Sequence, residues 1–153
     1  MKKAFWQDVT LRQVSQNGRF LALYLLNCPH GNSLGVFQLT EAYALADLQW
    51  DGPVLMAALE ELKGIGFLDY STGGLWISLL SYQQFSPAAN GKQLEGRIRQ
   101  LERLPVLDLT IEPIVRLLKL SAHAYFVDDK RHISRIDAVH MRYNRTQQGM
   151  TLP

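Results

Sequence analysis

The chain has 153 residues, of which 47% are hydrophobic and 20% are charged, and it contains one cysteine, Cys28. This composition is typical of a globular protein with one core and a small additional region, and it excludes a fibrous, collagen-like or largely disordered chain. A single cysteine also excludes an internal disulfide. The longest apolar run, Phe20 to Leu26, is too short to cross a bilayer, and no secretory leader is recognisable. We therefore expect a cytoplasmic protein with no contact to membranes.

The charge is distributed unevenly along the chain. Residues 1–80 contain five Lys/Arg against seven Asp/Glu, which gives −2, whereas residues 81–153 contain eleven against seven, which gives +4. A basic half is typical of proteins that bind nucleic acid, although an ordinary solvated surface has the same composition.

The first half of the chain predicts a helix, a short strand, two helices and a β-hairpin, in that order. The helix after Ser15 is apolar on nearly every side, so we expect it to be covered all round. Gly66 ends the third helix, and a Gly-rich turn joins the two runs of the hairpin. The predicted ranges are 16–28 for the first helix, 34–39 for the strand, 41–48 and about 52–65 for the next helices, and 67–71 and 75–80 for the hairpin. This is the order of a winged-helix domain.

The second half predicts only helices. After a polar, turn-rich segment, the patterns favour helices over about 91–104, 111–126 and 129–145, with Asn90 as the N-cap of the first and Pro113 in the first turn of the second. The predicted fold is therefore mainly α with a small β-hairpin: a winged helix-turn-helix domain over residues 1–81 and a helical extension over residues 82–153. The extension either packs on the first domain or mediates dimerisation. The helix of residues 111–126 carries more apolar residues than one neighbour covers, which favours a homodimer.

Several stretches resemble the N-terminal winged-helix domain of phage and plasmid replication-initiation proteins, including the replisome-organiser group. They are RFLALYLLNCPH from Arg19, LGVFQL from Leu34, ALEELKGIGFLDY from Ala58, and Trp76 in the second strand of the hairpin. The resemblance spans Arg19 to Pro105 and consists mainly of positions that determine a fold. It implies binding to DNA and recruitment of replication proteins as the expected role.

The third predicted helix offers little for reading DNA. In a winged helix this element enters the major groove and presents cationic or amide side chains to base edges. Its expected outward positions include Met56, Glu60 and Glu61, and the two glutamates repel phosphate. These three residues instead suggest a surface for a protein partner.

The stronger electrostatic pattern lies in the last two amphipathic helices. On the final helix the arginines are spaced by 4, 7 and 3 residues, which places them in one arc opposite Ile133, Ile136, His140 and Tyr143. Arginine suits phosphate because its planar fork donates two hydrogen bonds and keeps its charge. The predicted DNA-binding residues are Arg131, Arg135, Arg142 and Arg145 on the last helix, and Lys92, Arg97, Arg99 and Arg103 on the helix of residues 91–104. Solvated helix faces are the alternative interpretation.

No catalytic or metal-binding pattern is recognisable, and we expect neither enzymatic activity nor a cofactor. Cys28 and His30 flank Pro29 without an orienting acid, so a structural cysteine is the simpler interpretation. The three histidines of the second half, His123, His132 and His140, are spaced too widely to act as neighbouring ligands on one helix.

Two functions remain open. The first is a DNA-binding accessory or initiation protein of replication in a phage or other mobile element. The second is a protein-interaction module with the winged-helix fold but no DNA readout, which binds and regulates a host or replisome protein.

Overall fold

The protein is mainly helical with a small three-stranded antiparallel sheet. The structure is a computed structural model that describes residues 2–147; residues 148–153 of the predicted extension lie outside the described part. The helices are α1 (Lys2–Gln7), α2 (Gln16–Leu26), α3 (Glu41–Leu48), α4 (Gly52–Gly64), α5 (Tyr82–Phe85), α6 (Gly91–Arg103), α7 (Glu112–Tyr125) and α8 (Arg131–Gln147), with a 3₁₀ turn at Leu11–Gln13. The strands are β1 (Val36–Gln38), β2 (Leu68–Ser71) and β3 (Trp76–Leu79).

Local sequence signals position two of the long helices, α2 and α6. The Ser15 hydroxyl accepts a hydrogen bond from the Gly18 amide at 3.1 Å and so caps α2. The side-chain oxygen Oδ1 of Asn90 accepts one from the Gln93 amide at 2.9 Å and caps α6. The caps predicted at Ser15 and Asn90 are confirmed, whereas Thr40 and Asp51, also predicted as caps, precede α3 and α4 without a capping side-chain hydrogen bond. Helix α3 occupies the predicted residues.

Two short helices, α1 and α5, were not predicted. They have six and four residues, too few for a periodic pattern to stand out, and helices of this length depend on tertiary contacts. Phe5 of α1 and Phe85 of α5 are both buried in one core, with ring centroids 6.4 Å apart. This contact joins the start of the chain to the segment after the hairpin.

The predicted hairpin is confirmed, and β1 adds a third strand to it. The strand order is β1-β3-β2, with Phe37 opposite Ile77 in the first pair and Tyr70 opposite Ile77 in the second. Gly35, immediately before β1, has a φ of +88°, and a Cβ there would lie 2.7 Å from the Cβ of Tyr82. Only glycine fits this position without strain.

The sheet lies between two clusters of buried side chains. Phe37, Ile77 and Leu79 belong to a cluster formed with α2, α3 and α4, whereas Val36 belongs to a second cluster formed mainly by α6, α7 and α8. Across this boundary the Ser78 hydroxyl donates to the Thr110 carbonyl at 2.7 Å. The helical extension is therefore packed against the sheet.

Helix α7 does not have the large uncovered apolar surface that favoured a homodimer. Ile114, Val115, Leu118 and Ala122 are buried within the same chain, in the cluster that α7 shares with α6 and α8, and Leu120 is its large exposed aliphatic residue. The sequence pattern overstated the surface because it could not show that two helices cover this face.

The prediction that α2 is covered all round is wrong. Leu21, Ala22 and Leu25 are buried, but Phe20 and Leu23 lie at the surface. Helix α2 therefore has an exposed apolar side.

Candidate nucleic-acid interface

Helices α6 and α8 pack together through their apolar edges and direct most of their cations outward. Leu94, Ile98 and Leu101 of α6 and Ile136 and Tyr143 of α8 are buried in the second cluster. Because apolar positions at helical spacing turn one side of each helix inward, the polar positions of both helices face solvent or each other.

On α6 the exposed cations form one line. Lys92, Arg99 and Arg103 are separated by 7 and 4 residues, which places them on one side of the helix, and all three are exposed. Arg99 also donates to Glu95 one turn earlier, at 3.2 Å, but its side chain remains 64% exposed. These three side chains are free to approach an anionic ligand.

Arg97 does not belong to this line, and its predicted role in DNA binding is wrong. It is 5% exposed, and its Nη1 donates to Gln83 Oε1 at 2.6 Å and to the Ser86 carbonyl at 2.7 Å. Gln83 in turn donates to the Leu34 carbonyl at 2.9 Å. Burial lowers the pKa of the Arg97 guanidinium. Arg97 therefore links α6 to α5 and to the segment before β1, and it is not available to phosphate.

Arg135 also has a structural role that the sequence did not reveal. Its Nη2 lies 2.6 Å from Glu102 Oε1 and its Nη1 lies 2.9 Å from Glu95 Oε1, so one guanidinium joins α8 to two carboxylates of α6. Its side chain is 31% exposed. Both pairs are charge-assisted and multidentate, which are the strongest hydrogen bonds in proteins. The predicted phosphate contact by Arg135 would have to break them.

The pKa values of this cluster follow from the same bonds. Partial burial raises the pKa of Glu95, but the hydrogen bonds and charge of Arg135, together with His132 and Arg99, outweigh it, so the pKa lies below its usual range. Hydrogen bonding to Arg135 lowers the pKa of Glu102 more than burial raises it. These bonds, led by that to Glu102, raise the pKa of Arg135 itself. All three groups are therefore charged at neutral pH.

His132 completes the contact between the helices. Its ring stacks on Phe126 with centroids 3.6 Å apart, and its Nε2 lies 3.0 Å from Glu95 Oε2. The other two histidines of the second half lie elsewhere: His123 and His140 line a groove between α7 and α8. Among the described residues no group of three or more His, Cys, Asp or Glu side chains is placed to hold a metal ion.

The remaining arginines of α8 differ in how far they are engaged. Arg131 is 86% exposed and binds Asp129 through Nε and Nη2, and these hydrogen bonds with the Arg131 amide lower the pKa of Asp129 to about 2. Arg142 is half-buried, with Nη2 3.4 Å from the Leu104 carbonyl. Arg145 is exposed.

Together the two helices form a cationic surface, which we call the basic surface. It comprises Lys92, Arg99, Arg103, Arg131, Arg142 and Arg145 around the Arg135 network. Including Arg135, seven cations surround three carboxylates, those of Glu95, Glu102 and Asp129, which leaves a local excess of +4. Such an excess attracts a polyanion.

The three residues predicted for a protein partner on α4 are partly occupied by bonds within the chain. Glu61 accepts hydrogen bonds from the Ser15 amide at 3.1 Å and the Ser15 hydroxyl at 2.6 Å, at the start of α2. Glu60 accepts one from the hydroxyl of Tyr70 on β2, and burial with this bond raises the pKa of Tyr70 to about 12. Met56 is half-buried against the first core cluster. The helix thus uses both glutamates to hold its neighbours.

The remaining candidates are Cys28 and His30, for which the sequence showed no orienting acid; the structure places the carboxylate of Asp47 beside His30. Cys28 is half-buried against the first core cluster, and His30 pairs with Asp47 at 3.3 Å.

None of the described helices is both long enough and apolar enough to span a membrane. No protein-family model matches the chain, and no curated protein or solved structure shows significant similarity to it.

Proposed function

We propose that this protein is a winged-helix protein that binds the phosphate backbone of DNA through the basic surface, as an accessory or initiation factor of replication. The fold part of the proposal is supported by the element order α2-β1-α3-α4-β2-β3 and by the strand order β1-β3-β2. These are the order and pairing expected for a helix-turn-helix with a β-wing.

The observation that carries the DNA proposal is the excess of +4 on one side of α6 and α8. Lys92, Arg103 and Arg145 are exposed, and Arg99 and Arg131 each bind a single carboxylate while remaining largely exposed. A phosphate can replace water around Lys92, Arg103 and Arg145. It can also bind Arg99 and Arg131 while each of them keeps its carboxylate partner. Contacts of this kind position a protein on DNA without reading its sequence.

Helix α4 contributes little to this binding. Its two glutamates bond to α2 and β2, and its exposed Lys63 lies 3.8 Å from Asp69. A partner that bound Glu60 or Glu61 would compete with bonds that hold the fold together. We therefore favour DNA over the alternative, a protein-interaction module.

The test is binding of the full chain to labelled random duplex and single-stranded DNA, measured by fluorescence anisotropy at several salt concentrations. With about four phosphate contacts, the affinity for duplex falls on the order of 100-fold between roughly 50 and 200 mM salt. No binding at the lower salt concentration rejects the proposal.

Charge reversals locate the surface. Arg103→Glu on α6 and Arg145→Glu on α8 should each weaken binding at least about fivefold and reduce the salt slope by about one contact. The matched control is Arg116→Glu, because Arg116 is exposed on α7 and lines the groove shared with His140, on the opposite side of α8 from the basic surface. Equal losses in all three variants would contradict a localised interface.

A further inference from the structure

The exposed side of α2 continues across neighbouring elements as one apolar surface. Phe20 is 52% exposed and Leu23 is 36% exposed; together with Trp6 of α1, which is 57% exposed, they line a groove of about 280 Å³. On the other side of the groove, the ring of Phe20 lies 5.9 Å from that of Trp50. We call Trp6, Phe20, Leu23 and Trp50 the α2 face.

The size of this surface is that of an interface. Because a large aromatic side chain presents about 150–250 Å² when free, the four residues of the α2 face together leave roughly 350 Å² open to water. Scattered apolar residues are normal on a surface, but a contiguous patch of this size is often functional. Two such patches would supply about 700 Å² of apolar area, close to the apolar share of a small, weak interface of about 1,200 Å².

Opposite charges flank the α2 face. Arg19 and Tyr24 are five residues apart, which separates them by about 140° around the axis of α2. Phe20 and Leu23 lie within that arc, so Arg19 and Tyr24 are on opposite sides of them. Arg19 lines the groove beside Trp6, and Arg12 donates from Nε to the Trp6 carbonyl at 3.3 Å. This flank is cationic.

The other flank is acidic. The Tyr24 hydroxyl donates to Asp47 Oδ2 at 2.6 Å, and the same carboxylate lies 3.3 Å from His30 Nε2. The side chain of Asp47 remains 38% exposed, and Glu41 of α3 and Asp51 next to Trp50 are exposed as well. An aliphatic and aromatic strip thus separates a cationic flank from an acidic one.

We infer that the α2 face binds a second copy of this chain, in a dimer whose two-fold axis lies in the interface, parallel to α2. A rotation about that axis superposes the apolar strips and brings the cationic flank of each protomer against the acidic flank of the other. The interface is isologous, so the single pairing of Arg19 with Asp47 occurs twice. This inference does not depend on the proposed binding of DNA.

The surface fits a second protomer better than single-stranded DNA. Exposed aromatic rings beside arginines can stack with bases, but DNA binding also needs a continuous cationic groove. Here Asp47, Glu41 and Asp51 border the rings, and residues 1–80 carry a net charge of −2. The basic surface of α6 and α8 is formed by other elements, so a dimer would leave it accessible.

The test is sedimentation equilibrium of the full chain between about 1 and 100 μM. We expect a concentration-dependent dimer, and Phe20→Glu and Leu23→Glu should each raise the dimer Kd at least about tenfold while the circular dichroism spectrum stays unchanged. Leu120→Glu is the matched control, since Leu120 is an equally large exposed apolar residue on α7. It should leave the dimer intact.

A charge exchange tests the orientation even if one substitution on the α2 face disturbs folding. Arg19→Glu alone and Asp47→Lys alone should each weaken the dimer at least about tenfold, because both place like charges opposite each other. An equimolar mixture of the two variants should restore association, since both cross-pairs are then attractive.

Several outcomes would overturn the inference. A chain that stays monomeric at 100 μM, a dimer that resists both Phe20→Glu and Leu23→Glu, or a dimer lost in Leu120→Glu would each do so. A monomer whose tryptophan fluorescence is quenched by a thymidine oligonucleotide, and no longer quenched in Trp6→Ala, would assign the α2 face to single-stranded DNA instead.

Discussion

Replacing Arg135 by alanine tests whether this residue holds α8 on α6. The substitution removes charge-assisted bonds of 2.6 to 3.1 Å to Glu95 and Glu102 and leaves both carboxylates without their main cation. Fully exposed ion pairs contribute about 0–1 kcal/mol, and breaking a buried pair costs about 3–5 kcal/mol. With Arg135 31% exposed, the cost lies between these limits, at about 2 kcal/mol.

Urea unfolding followed by circular dichroism measures this loss, which corresponds to a fall in Tm of about 5 °C for a chain of this size. Arg131→Ala is the control, because its partner Asp129 is two residues away and its side chain is 86% exposed; we expect its urea midpoint to match that of the unsubstituted chain. Combining Arg135→Ala with Glu102→Gln should cost less than the two separate changes together, because they remove the same bond. If Arg135→Ala unfolds at the same urea concentration as the unsubstituted chain, the structural role is refuted and Arg135 returns to the DNA-binding candidates.

Arg97→Ala should lower the free energy of unfolding by about 3 kcal/mol, measured in urea, because it leaves the buried side-chain oxygen Oε1 of Gln83 without its donor and opens a gap in the core. An unchanged midpoint would show that this bond contributes nothing. Gly35→Ala should cost about 3 kcal/mol, since it combines a φ of +88° with a clash against Tyr82, and a thermal shift below about 3 °C would contradict that account. Acidification should also destabilise the fold: Asp129, at a pKa of about 2, and the two carboxylates that bind Arg135 all have lowered pKa values in the folded chain. The stabilisation by these carboxylates is present above their unfolded-state pKa near about 4 and is lost as the pH falls through their pKa values in the folded chain. The Tm should therefore decrease between about pH 5 and 2. The decrease should be less steep in Arg135→Ala.

The sequence was most informative where structure is determined by neighbouring residues. Ser15 and Asn90 each mark a helix start because their side chains bond to amides three residues later. Gly66, with a φ of +74°, follows the end of α4 at the predicted place, and the Gly-rich turn before Leu75 joins the predicted strands. These signals act within a few residues, so they can be recognised without knowing the fold.

Long-range contacts explain what the sequence did not reveal. Helical spacing places Arg135 and Arg145 in the same arc, yet the first binds Glu95, 40 residues earlier, and the second is exposed. Arg97 belongs to a cationic segment, but its side chain is buried because the fold brings Gln83 and Ser86 next to it. A helical pattern in the sequence gives the direction of a side chain relative to the axis of its own helix. The partner of that side chain depends on which other helix packs on that side.

The alternation along β1 makes the sheet a shared wall of the two clusters. Adjacent residues Val36 and Phe37 point to opposite faces, so the same three-residue strand is buried by the second cluster on one side and by the first on the other. Neither cluster can lose its packing without exposing an apolar face of the strand that the other needs. The two halves should therefore unfold in one transition, and the slowest-exchanging amides should include that of Phe37 where it pairs with Ile77. Together with the Arg97–Gln83 and Ser78–Thr110 bonds, this strand of only three residues thus transmits cooperativity between the basic helices and the N-terminal half.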